Sequence, residues 1–179
     1  MTPDHAIKTR KTHKILPIEP WPIQMTNTEQ ETLAAELQDL AAPAPYHYMA
    51  HRQYMKEKAL NSSLPYRFYL LGTEKCRTTA QHIEQSEIEG GKIVQMLHAA
   101  DLLFIVTWLP EPADQNQDGN RHQINFEGHN HNMEHIAAAS AAIQNVLIGA
   151  TARDIPSYWS SGGTLRHADL KAYLDIPAA

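Results

Sequence analysis

The 179-residue chain carries a formal charge of -5 and a pI near 6.1, so it has no overall basic field to hold a nucleic-acid backbone, and its length suits one sizeable core rather than two. Its only cysteine, Cys76, excludes an internal disulfide and a cysteine-rich metal site. No apolar run is expected to approach the roughly 20 residues that cross a bilayer, and the N-terminus lacks a signal-peptide core; a single cytoplasmic domain over 1–179 is therefore expected, with neither nucleic acid nor membrane as partner.

In chain order, residues 4–12 read as a short helix with Asp4 available as cap, leading into the cationic run Arg10, Lys11, Thr12, His13, Lys14. Prolines 17, 20 and 22 then impose an extended passage. A second helix is predicted from Thr28, with Glu31 as its capping-box partner, through Leu33, Leu37 and Leu40 to the stop at Pro43 and Pro45. Residues 42–65 lack a clean period and read as a long ordered loop with at most a helical turn; such loops are commonly functional or mobile. Residues 66–71 form a strand ending at Gly72, and Thr73 caps a helix running to Glu87. Gly90 and Gly91 punctuate before a helix over 92–100. Residues 102–109, β-branched and aromatic on both faces, read as a central strand covered on each side, and residues 113–128 as an exposed polar loop.

The stretch HNMEHIAAASAAIQNVLIGATARDIPSYWSSGG, residues 131–163, begins as a helix with too few polar positions for a surface. Its alanines admit close approach of another backbone, and its end gathers rings, hydroxyls and glycine amides able to hold a planar, polar-edged ligand. A last amphipathic helix is predicted over 165–174.

Four groupings bear on chemistry. Arg10, Lys11 and Thr12 combine two cations and a hydroxyl, suited to phosphate, although a solvated basic turn explains such a run more simply when it stands alone. His129, His131 and His135 with Glu134 evoke a metal site, but HNMEH is not HExxH, and no zinc is predicted. Asp114, Asn116, Asp118 and Gly119 open like a calcium loop, yet position twelve is Asn125 instead of glutamate, so a solvated turn is the better reading. Ser160 and Ser161 lack the setting of a hydrolase nucleophile, and Cys76 reads as a bystander thiol.

Taken together, three stretches give the chain its resemblance to the nitroreductase family of FMN-dependent NAD(P)H oxidoreductases. RKTHK at residues 10–14 is similar to the family's RRSxR segment; Ala44, Pro45, Tyr46, His47 and the later Pro65, Tyr66, Arg67, Phe68 resemble its APxH and PWRF pair; and AAIQNVLIGATARDIPSYWSSGG looks like its QN-containing helix and W-x-S-G turn. The resemblance implies an α+β fold, a central antiparallel or mixed sheet wrapped by helices, of the obligate-dimer type with FMN at the subunit interface. It also implies reduction by NADH or NADPH and delivery of electrons to a small-molecule acceptor such as a nitroaromatic or quinone, by a ping-pong flavin mechanism. Carried over by position, the cofactor-binding residues are Arg10, Lys11, Thr12, His47, Trp159, Ser160 and Ser161, with His47 reaching the flavin of the partner subunit; no side chain is expected to be catalytic and no metal is implied.

The sequence also departs from that pattern. Lys11 stands where an arginine is usual, Leu64 and Tyr66 where glutamine and tryptophan are frequent, and Arg153 and Asp154 at a helix end where glycine is common. The loop over 48–63 is longer than usual, and against the family pattern the C-terminal segment that embraces the partner is expected to be missing or reduced, with Arg166 expected to replace its basic group. Two alternatives follow: a flavoprotein of the same fold with other chemistry, flavin destruction or dehalogenation, or a flavin-free binding or scaffold dimer.

Overall fold

The computed structural model describes residues 1–112 and 130–177. Helices α1 (Pro3–Thr9) and α2 (Asn27–Ala41) precede strand β1 (Tyr66–Gly72), helices α3 (Thr73–Glu84) and α4 (Gly91–Ala99), strand β2 (Leu102–Trp108), and helices α5 (Asn130–Ala152) and α6 (Ala168–Tyr173). Short 3-10 turns lie at Tyr54–Lys56, Lys58–Leu60 and Gly163–Arg166. The polar loop expected at 113–128, with the calcium-like positions Asp114, Asn116, Asp118, Gly119 and Asn125, lies outside the described residues, as does His129.

The architecture follows from the alternation along the two strands. β1 and β2 pair antiparallel from Tyr66 opposite Trp108 to Gly72 opposite Leu102. Successive side chains of a strand point to opposite faces. Phe68, Phe104, Val106 and Trp108 accordingly pack with Tyr66 against Leu37, Ala41, Ala142 and Val146 of α2 and α5, whereas Leu71, Leu103 and Ile105 face Ile83, Ile93, Leu97 and Leu170 of α3, α4 and α6. Both faces are covered, as the composition of β2 predicted. Among the described residues, however, the sheet has two strands, so β2 is an edge strand, and each of its residues is only half-buried.

Local chemistry moves several boundaries from their predicted places. α1 stops at Thr9 instead of continuing to Thr12, because Arg10 turns extended (ψ 125°) and releases the chain toward residue 157. α2 starts two residues early: Thr26 accepts from the Glu29 N–H, and the Glu29 carboxylate accepts from the Thr26 N–H at 2.7 Å, so the capping box is Thr26 with Glu29 and not Thr28 with Glu31. That closure holds the exposed Glu29 carboxyl below its usual pKa. α3 ends at Glu84, short of Glu87. There the Ser86 hydroxyl donates to the Ile83 carbonyl and accepts from the Ile88 N–H, giving the backbone a non-helical alternative. The last predicted helix breaks at the extended His167, whose Nδ1 accepts from Asp169 N–H to begin α6.

α5 overturns the expectation that no segment approaches membrane-spanning length: its 23 residues are long and apolar enough, by length and composition alone, to cross a bilayer. Alanine and isoleucine supply that hydropathy. In the fold the helix is a core element, with Ala138, Ala142, Val146 and Ala150 buried against α2 and the sheet. Asn145 donates to the Leu40 carbonyl at 3.1 Å and so satisfies a terminal acceptor of α2.

The C-terminus of α5 answers the departure at Arg153 and Asp154. Asp154 adopts the left-handed conformation (φ 57°) usual for glycine, its N–H bonds to the Thr151 carbonyl, and the Ile155 N–H reaches back to Ala150 at 2.9 Å. These two bonds make a Schellman motif with aspartate in the glycine position. Asp154→Gly is therefore expected to raise stability by about 0.5–1 kcal/mol by relieving left-handed strain; a urea midpoint that falls on substitution would contradict this.

Candidate functional site

α1 delivers the cationic run to the surface and the end of α5 delivers the YWSSGG turn; the tertiary fold joins them. The His13 N–H donates to the Ser157 carbonyl at 3.0 Å, and Lys14 Nζ lies 5.6 Å from the Tyr158 ring centroid in a cation-π contact. Arg10 is half-buried as the C-cap of α1, while Lys11 and Thr12 are exposed. A cation at a helix C-terminus is electrostatically comfortable without any ligand. Two facts point beyond that. Among the described residues, none of Arg10, Lys11 and Lys14 has an acidic partner within 4 Å. The Ser157 hydroxyl, beside the junction, is buried without a hydrogen-bond partner, a cost of about 1–3 kcal/mol unless something meets it.

Within the turn, Trp159 remains 49% exposed. Gly162 and Gly163 both take positive φ, 89° and 47°, a conformation that favours glycine. The Ser160 hydroxyl is not fully free as the residue types alone imply, since it accepts from the Gly162 N–H at 3.2 Å; Ser161 is exposed. Cations without an acidic partner among the described residues, an unsatisfied buried hydroxyl and an exposed indole thus lie within two neighbouring segments, and groups of these kinds can serve an anionic, planar ligand.

His47 is placed elsewhere. It is exposed and stacks on Tyr48 (centroids 4.5 Å apart, planes at 17°), and Tyr48 lies 3.9 Å from the ring of His131 at the start of α5. His131 Nδ1 is in turn 3.8 Å from the Glu111 carboxylate. Among the described residues, no hydrogen bond, ion pair or ring contact joins His47 to the Arg10 and Trp159 groups of its own protomer. The other histidine of the metal-like motif, His135, is 1% exposed and donates from Nδ1 to the Leu109 carbonyl at 2.7 Å. The two imidazoles thus have separate structural partners, and among the described residues no three metal-ligating side chains converge.

One residue the sequence did not single out, Ser157, sits at the junction; it directly precedes the turn that begins at Tyr158, so its place in the same segment was the available signal. Nothing in the sequence marks the Tyr48 to His131 contact. A depression of about 490 Å³ rimmed by Glu87, Glu89, Thr164 and Asp169 lies nearby, but its carboxylates repel the phosphate that the basic run would attract.

Cys76 takes no part. It is fully buried, and burial pushes its thiol up to about 12. The native protein at pH 8 is expected to leave an aromatic disulfide reagent unreacted until denaturant is added; prompt release of one equivalent of thiolate from folded protein would refute this.

No protein-family model matches the sequence, and no curated protein matches it. Among solved structures, the chain is similar to the nitroreductase-like family protein from Bacillus cereus, with a TM-score of 0.58 and 20% identity, over 99% of this chain and 79% of that one. This likeness is one of fold: helices around a small antiparallel sheet, arranged as in a nitroreductase-like protein.

Proposed function

We propose that this chain is an FMN-dependent oxidoreductase that draws electrons from NADH or NADPH and works as a homodimer with the cofactor at the subunit interface. The carrying observation is the junction of the Arg10 to Lys14 run with the segment that leads into the Trp159 turn, made by the His13 to Ser157 bond and the Lys14 to Tyr158 contact beside the unsatisfied Ser157 hydroxyl. The nitroreductase-like fold supports the reading.

In this arrangement Arg10 binds the phosphate with charge-assisted bonds, and Lys11 and Thr12 serve the ribityl chain and the pyrimidine edge. Trp159, Ser160 and Ser161 close over the ring system and shield one side from water, while the partner subunit's His47 completes the wall. When bound, FMN supplies the two-electron chemistry, so the enzyme alternates between a nicotinamide donor and a small acceptor such as a nitroaromatic or quinone in ping-pong fashion. The protein's own task is binding, orientation and exclusion of solvent.

The dimer contact falls on the α5 stripe that the protomer leaves partly open: Ile136, Ala137, Ser140, Ala141 and Ile143 are exposed or half-buried. Small residues there let a second backbone approach closely. The testing experiment is a visible spectrum of the purified protein, before and after incubation with FMN, alongside light scattering of wild type and Ala141→Trp. A flavin band near roughly 450 nm and a dimer weakened by the tryptophan are expected. A colourless protein that cannot be loaded with FMN would sink the enzyme reading.

A further inference from the structure

Three rings in this protomer form a ladder with one free end. His47 stacks on Tyr48 and Tyr48 lies tilted by 34° on His131, at centroid separations of 4.5 and 3.9 Å. The inner end is fixed twice over. His131 faces the Glu111 carboxylate at 3.8 Å, and the N–H of the same Glu111 donates to Oδ1 of the adjacent Asn132 at 2.8 Å, with Asn132 itself 2% exposed. The outer end, His47, is exposed and has no hydrogen bond among the described residues.

A histidine on an exposed loop would ordinarily sample several rotamers, and ordering it on binding costs free energy. Stacking on a ring that is itself anchored removes most of that freedom in advance. The residue beneath it then determines how the imidazole is presented, although it never touches the ligand.

We propose that Tyr48 and His131 are positioning residues: they hold His47 as the outer rung of an aromatic ladder whose open face receives the planar ring of the cofactor. The inference rests on the FMN reading above. It assigns to Tyr48 and His131 a role in affinity that runs wholly through His47. Aromatic pairs contribute modestly beyond their buried area, so the expected effect of removing the middle rung is about threefold to tenfold in flavin affinity.

The test combines two measurements on the intact protein. In the flavin-free protein, the His47 ring protons should show an upfield ring-current shift in NMR spectra, preserved in Tyr48→Phe and lost in Tyr48→Leu. FMN titration followed by flavin fluorescence should then give wild-type affinity for Tyr48→Phe and a threefold to tenfold loss for Tyr48→Leu and His47→Ala alike, with unchanged melting temperatures. The Phe rescue separates stacking from loss of a hydroxyl or of the fold. Unchanged FMN affinity in Tyr48→Leu, beside a weakened His47→Ala, overturns the positioning role alone. Unshifted His47 protons in the wild type overturn the ladder, and wild-type protein without FMN affinity overturns the proposal together with the functional reading.

Discussion

Arg67→Ala is expected to destabilise the protein by about 3–5 kcal/mol, the largest effect of any single truncation considered, although Arg67 lies in no candidate site. Its guanidinium is half-buried and donates to the carbonyls of Leu64 at 2.6 Å, Tyr66 at 2.7 Å, Ser62 at 3.1 Å and Leu60. These bonds tie the irregular segment before β1 to the strand. Burial pulls the Arg67 pKa down, yet the group stays cationic because its ordinary value is so high. Hydrogen bonds to a charged group contribute about 1.5–3 kcal/mol each, and four on one side chain are coupled, so their sum overstates the loss.

Truncation also loosens what the segment covers. Leu60 is 1% exposed and packs with Ala50, Tyr54 and Leu109 in a small cluster, with the Tyr54 hydroxyl donating to Pro110 at 2.6 Å. Urea denaturation measures the change, and a melting temperature lower by about 10 °C should accompany it for a domain of this size. Arg67→Lys should recover only part, since an ammonium cannot reproduce the planar fork. A shift below about 1 kcal/mol in Arg67→Ala would mean that the loop is held by its packing and not by this residue.

The second prediction concerns the proposed cofactor. Arg10→Ala is expected to weaken FMN retention by about 1.5–3 kcal/mol, or roughly 10-fold to 150-fold in Kd, the range for losing charge-assisted bonds to a phosphate. Because the Arg10 side chain has no acidic partner among the described residues, global stability should change little. This separation is the diagnostic feature: affinity falls while the denaturation midpoint holds. Arg10→Lys should sit between the two, keeping charge without bidentate geometry. Equal FMN affinity in wild type and Arg10→Ala, by fluorescence titration, would remove Arg10 from the phosphate site.

Much of the fold is legible in the residues because helix and strand periodicities are local. The strand at Tyr66–Gly72 and the helices at Gly91–Ala99 and Asn130–Ala152 follow directly from their apolar spacing. The start of α2 is not legible, because TNTEQE offers two nested capping boxes. Gln30 favours the earlier one: it is buried, donates to the Met25 carbonyl at 2.9 Å and accepts from the Thr73 N–H at 2.9 Å. A residue 43 positions away thus helps choose the cap. The candidate site divides in the same manner. Residue type marks the cations at one end of the chain and the indole and glycines at the other, but not the His13 to Ser157 bond that brings them together.

The sequence by itself determined which segments are helix and strand, that both faces of β2 are covered, and which residue types can serve an anionic planar ligand, because these depend on neighbours within a turn or two of chain. Only the tertiary structure decided the capping of α2, the junction of the Arg10 run with the Trp159 turn, and the stacking of His47 through Tyr48 on His131. Each of those depends on contacts between residues remote in sequence, whose free energy is realised only once the layers have packed.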